Sequence, residues 1–266
     1  HRHQFSTRTG HGQSLYQERG LSRLVFTRQF RHDWMRVLFH YFPFSLFRQK
    51  MNFEPVDISE IHRIVAPTVE SFLKDDGFES YSNLKWVRCH SAPIRFIFEL
   101  LPWKGGMVAP RVSISLDFVP HVSGSSVKWH RTDKSAQSDL IYDVYDRMLE
   151  FPCHQGPFVI RENAPQVIPP AIEKAREFWA ACSTEGQLLS AFDKIRNYYD
   201  KDLPEGRSKF RMFTPHELAL AFVLARVGKV EEALRLFEQI EGRYKPIVKN
   251  KLRGLLMEAV MPNKQS

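Results

Sequence analysis

The sequence predicts an α+β fold: a four-stranded antiparallel sheet with two helices on one face, followed by an all-helical C-terminal region. Three observations carry this expectation. Strict apolar–polar alternation stands on both sides of a Gly-Gly turn at residues 104–106, amphipathic helical periods flank that segment, and from Pro170 onward only helical periods occur. The expected division is a basic leader at 1–50, an α+β domain at 51–151, a Pro-rich linker at 152–169 and a helical region at 170–266.

The leader holds the charge. The 266-residue chain has a net charge of +8, from 38 basic and 30 acidic side chains. Nine of the basic groups, eight of them Arg, and two of the acids fall in residues 1–50. The rest of the chain is left electrically balanced, so the pI describes the leader and not a basic face on the body. An Arg-rich, acid-poor segment reads as a transit peptide, as an arm for nucleic-acid phosphates, or as no working part of the protein. The third reading is preferred, because Met51-Asn-Phe-Glu-Pro55 looks like a natural start. The leader is expected to be disordered or foreign to the native protein, and nucleic acid is expected as a partner only through it.

The first helix opens at Asp57, whose carboxylate can accept early orphan N–H groups, with Glu60 placed to reach back in a capping box. Ile58, Ile61, Val65, Val69, Phe72 and Leu73 form one apolar stripe; Pro67 should kink or divide the helix, and Gly77 should stop it. Four strands are expected next: Lys85–His90, Ile94–Leu100, Arg111–Phe118, and a fourth marked by Val127 and Trp129. Folding about Gly105 places Glu99 opposite Arg111, a favourable cross-strand pair. Ser123-Gly124-Ser125 makes the next turn. A second amphipathic helix is expected over 135–150, with Leu140, Ile141, Val144, Met148 and Leu149 inward and an exposed acidic stripe of Asp139, Asp143 and Asp146.

In this order of elements, residues 55–151 resemble a bacterial family of small α+β domains of unknown function. Its members have a helix ending in Gly-Phe (here Gly77-Phe78), an antiparallel sheet and a closing helix. The resemblance implies no activity.

Four prolines between Phe151 and Pro170 read as a linker. Helices are expected over 171–182, 184–199, from Thr214-Pro215 onward, and over 246–260. Leu220, Ala221 and Leu224, the Gly228-Lys229-Val230 turn, then Ala233, Phe237 and Ile240 resemble a tetratricopeptide helix-turn-helix over residues 214–241. Only one unit is legible, and a stable array needs about three, so a generic helical cap is the alternative.

Known catalytic signatures are missing. The sequence has no phosphate-binding loop, dinucleotide fingerprint or nucleophile elbow, and its histidines show no zinc spacing. No metal and no cofactor are expected. Cys153-His154 reads as structural, and His121 and His130 read as surface histidines. Three cysteines without a C-x-x-C pair fit a reducing, cytoplasmic setting. No run approaches the roughly 20 apolar residues of a membrane-spanning helix. The candidate site is the polar sheet face carrying Arg95, Glu99, Arg111, Ser115 and Asp117. The expected function is a non-catalytic module binding a protein partner or a small ligand. The alternative is an enzyme on a polar or anionic small molecule, in which opposed charges on that face shift pKa values.

Overall fold

A computed structural model describes residues 56–103, 106–143, 150–200 and 214–260. All of them lie in one unit, Phe53–Ser266. The leader, the tip of the 104–105 turn and residues 144–149 lie outside the described residues, as do Val144 and Asp146 of the expected second helix.

Helix α1, Ile58–Leu73, begins where Asp57 accepts the Ser59 N–H at 2.7 Å. The reach-back expected of Glu60 does not occur, because Glu60 forms a two-point pair with Arg63 instead. Pro67 neither breaks nor divides the helix; it sits on the exposed side, away from the buried stripe of Ile61, Val65 and Val69. Gly77, at φ +80°, turns the chain into the first strand.

The strands are β1 (Phe78–Ser82), β2 (Lys85–Arg88), β3 (Ile94–Trp103), β4 (Met107–Leu116), β5 (His121–Ser123), β6 (Ser126–Lys128), β7 (Leu140–Asp143) and β8 (Phe151–Pro152). The main antiparallel sheet runs β1-β2-β3-β4-β7, with β8 pairing the start of β4. It therefore has six strands and not four. The β3–β4 hairpin has the expected register, with Phe96 opposite Ile114 and Glu99 opposite Arg111. The segment with Val127 belongs to a separate two-stranded ribbon, β5–β6, and not to the sheet. The described part of the expected 135–150 helix is not helical: it starts at the last residue of a short 3-10 turn, Asp133–Ser135, and leads into strand β7. The apolar residues Leu140 and Ile141 fit a strand as well as a helix, since a short run cannot separate the two periods.

Residues 157–169, read as linker, form the first part of helix α2 (Pro157–Ala180), which runs on into the helix expected from 171. Pro157 occupies its first turn, where a missing N–H costs nothing. Pro165 and Pro170 are exposed. The Asn163 and Gln166 side chains donate to the carbonyls of Val159 and Glu162, four residues earlier in each case. Ile160, Ala164, Val167, Ile168, Ala171, Ile172, Ala175 and Phe178 keep one buried stripe through all three prolines. Helices α1 and α2 thus provide the apolar cover of the sheet. His62 stacks on Trp86 at 5.4 Å, and Trp179 stacks on Phe96 at 5.8 Å.

Helices α3 (Glu185–Asp200), α4 (Thr214–Arg226), α5 (Val230–Ile240) and α6 (Pro246–Val260) follow. The turn after α4 places Gly228 at φ +82°, with Lys229 N–H reaching Leu224 O and Gly228 N–H reaching Ala225 O. This paired closure needs a residue in the left-handed region, which glycine enters without strain. Every residue from His216 to Ala225 is buried. Such a helix is wrapped on all sides, and one continuous hydrophobic core runs from Ile61 to Leu256. Lys249 and Arg253 of α6 pair with Glu241, and Lys245, just before the helix, donates to Ser125 Oγ.

Candidate functional site

The alternation of β3 and β4 sends Arg95, Glu99, Arg111 and Ser115 to the sheet face opposite α1 and α2. The chain covers this face with a strap, residues 131–139. Arg95, only 5% exposed, donates from Nε to Asp133 at 2.6 Å and from Nη2 to the Arg131 carbonyl at 2.7 Å, and its Nη1 is ion-paired with Asp117. Further along, Lys85 Nζ donates to the Ala136 carbonyl at 2.5 Å, and the Gln137 N–H donates to Ser115 Oγ at 3.2 Å. Ser113 and Ser138 share a hydroxyl bond at 2.8 Å. The Ala136 methyl packs with Val87 and Ile97 in a small second core.

The five candidate residues therefore separate into two groups. Arg95, Ser115 and Asp117 hold the strap, and Ser115 is fully buried. Glu99 and Arg111 stand opposite one another four residues further along, about 13 Å at 3.3 Å per residue. There Glu99 lies 3.9 Å from Lys85, while Arg111 acts on His216 of α4.

That histidine closes the sheet edge. The outward N–H of Ile141 on β7 donates to His216 Nε2 at 3.0 Å, so this nitrogen must be unprotonated. Burial first, and the Arg111 charge second, push the His216 pKa down to about 4, which keeps it an acceptor. An unpaired edge strand is a template for unwanted pairing, and α4 covers this one.

The remaining polar groups are structural in the same sense. Asp139, expected on a solvated stripe, is buried and accepts from Leu116 N–H at 2.6 Å and from His130 Nε2 at 2.9 Å; burial raises its pKa. His130 is 2% exposed and not a surface residue. The Cys153 thiol is buried, with its pKa raised by that burial, and His154 Nδ1 donates to the Gly106 carbonyl at 2.8 Å. The Cys153-His154 pair is thus a clamp on the hairpin turn. All three cysteines are free thiols, and burial pushes Cys182 up to about 12.

A concave site appears elsewhere, between α2, α3 and β7. This cleft of about 320 Å³ has Tyr142, Phe178 and Tyr198 as its rings, with Lys174 and Glu177 on α2 and Lys194 on α3 at its margins. Tyr142 stacks on Phe178 at 5.3 Å and meets the edge of Tyr198 at 5.8 Å. The Tyr142 pKa is raised, chiefly by burial and then by Tyr198 and Glu177. Two helices supply the walls at one spacing: Lys174, Glu177 and Phe178 on α2 with Ala181 at its C-cap, and Ala191, Lys194, Ile195 and Tyr198 on α3. Residues at i, i+3, i+4 and i+7 share a helix face. Sequence reasoning missed this site because Tyr142 was placed on a helix, and because nothing in the chain says that these two faces meet.

Among the described residues no cluster of His, Cys, Asp and Glu is built to hold a metal, and no helix is long and apolar enough to cross a membrane. The class defined here is an α+β protein with a strapped antiparallel sheet and a helical buttress. Compared with family models, curated proteins and solved structures, the chain matches none of them.

Proposed function

We propose that the chain is a non-catalytic small-ligand-binding module whose ligand sits in the cleft between α2, α3 and β7. The observation that supports this reading is the aromatic wall of buried Phe178, half-buried Tyr142 and exposed Tyr198 in a concavity whose volume lies in the ligand-pocket range of about 300–1,000 Å³. An aromatic ring at the mouth of a pocket offers a face or edge to a bound ring. The enzyme reading loses support, since Arg95, Ser115 and Asp117 are engaged by the strap. The helical hairpin of α4 and α5, the basis for a protein-interaction reading, places His216 of α4 against the sheet edge.

The test is NMR titration of the full chain with 2-naphthoate and with the neutral 2-naphthalenemethanol. Shifts confined to the backbone amides of Tyr142, Phe178, Ala181 and Ile195, and lost when Ala181→Trp fills the cleft, are expected. Shifts elsewhere, or undiminished in Ala181→Trp, overturn the reading.

A further inference from the structure

Away from the cleft, the even charge balance of the body conceals a local excess. Residues 118–132 and 242–257 contain no Asp or Glu, and between them they hold seven Lys and Arg side chains. Folding brings the two segments together: Lys245 Nζ donates to Ser125 Oγ at 3.1 Å and Lys251 Nζ to the Val127 carbonyl at 3.5 Å. Acids from outside reach three of the seven, with Arg243 on Glu217 and with Lys249 and Arg253 sharing Glu241. The other four, Lys128, Arg131, Lys245 and Lys251, form no ion pair among the described residues. Asp117 and Asp133, which flank the first segment, are closed on Arg95.

We infer that the β5–β6 ribbon and the start of α6 form a binding surface for single-stranded nucleic acid. The cations follow the ribbon in order, Lys245 at Ser125, Lys251 at Val127, then Lys128 and Arg131, as a strand of phosphates requires. An aromatic side chain stands in the same line. Trp129 is 39% exposed, and the Arg131 guanidinium lies 3.7 Å from its ring centroid, itself fixed by a bond from Nε to the Asp117 carbonyl. A flat cation laid on an indole makes a stacking platform for a base, and a basic groove with such platforms is how single strands are held without sequence readout. A lipid surface fits less well. The exposed apolar side chains here are Trp129, Ile247 and Met257, the last two about 15 Å apart along α6, whereas interfacial binding scales with the apolar area buried.

The experiment is fluorescence anisotropy of a labelled oligothymidylate of about 15 nucleotides with the full chain, across a salt series. Binding is expected, with log affinity falling linearly in log salt. Gln keeps a donor for Ser125 and Val127 while removing the charge. Lys128→Gln/Lys245→Gln/Lys251→Gln should therefore bind about ten-fold more weakly or worse, with a salt slope smaller by about two, as three lost phosphate contacts dictate. The matching triple Arg variant should retain both affinity and slope. Trp129→Ala should lose about ten-fold with the slope unchanged, and Trp129→Phe should restore most of that loss. A slope undiminished in the triple Gln variant places binding elsewhere in the chain, the Arg-rich leader included, and overturns the inference. So does absence of binding, or capture by phosphatidylserine vesicles without binding of the oligonucleotide.

Discussion

The two faces of the β3–β4 hairpin are both buried, and by different physics. On one, Phe96, Phe98, Val112 and Ile114 meet the aromatic and aliphatic side chains of α1 and α2. On the other, Arg95, Ser113 and Ser115 are equally hidden, yet each is held by a hydrogen bond or ion pair to the 131–139 strap. Apolar cover is non-directional and tolerates sliding; polar cover works only when each donor finds its acceptor. A polar face in an alternating strand therefore says what kind of neighbour it needs, not that it lacks one.

The comparison breaks most visibly at Trp179. Its ring touches Phe78 at 4.7 Å and Phe96 at 5.8 Å, and its indole N–H approaches the Ser113 carbonyl. Trp179→Ala should cost about 4 kcal/mol in urea unfolding, as large core truncations do. A loss below about 1 kcal/mol would mean that the apolar layer is not the main support of the sheet.

On the polar face, Arg95→Met should cost about 3 kcal/mol, because Asp117 and Asp133 lose their guanidinium partner in a largely buried setting. Limited proteolysis should then cut within 131–139 before the sheet unfolds. Replacing both carboxylates as well, with Asp117→Asn and Asp133→Asn, should recover part of the loss, since the cost lies in stranded charge. An unchanged cleavage pattern in Arg95→Met would show that the strap is held by its backbone contacts alone.

The edge that joins the two faces carries the pH dependence. The His216 pKa is lowered from 6.5 to about 4, so the folded state binds its proton less readily than the unfolded chain. Its contribution is fully present above pH 6.5 and is lost as pH falls toward about 4, amounting to about 3 kcal/mol at 1.36 kcal/mol per pH unit. His216→Gln, which keeps an acceptor for Ile141 N–H, should flatten that part of the stability–pH profile. A variant whose profile superimposes on the natural one would place the acid sensitivity elsewhere.

Much of the local structure was legible before any coordinates. The stripe Ile61-Val65-Val69 specified α1, and alternation around Gly105 specified β3, β4 and their register down to Glu99 opposite Arg111. Thr214-Pro215 and Pro246 marked the starts of α4 and α6. The misreadings share a cause. Leu140–Asp143 is too short for its period to be decisive, and the prolines of α2 obscured a stripe that runs unbroken from Ile160 to Phe178. The aromatic cleft was invisible because its three rings come from elements 36 and 20 residues apart, Tyr142 to Phe178 to Tyr198.

By itself, the order of residues determined which side of each long strand and helix is apolar, since that follows from periods of 2 and 3.6 along a single segment. Tertiary structure alone decided what lies against each side. Whether Arg95 faces water or a carboxylate, and whether Lys174 and Lys194 flank the same rings, depends on chain segments brought together by packing. No local period carries that information, because burial rewards any compatible surface and the winner is set by the whole core.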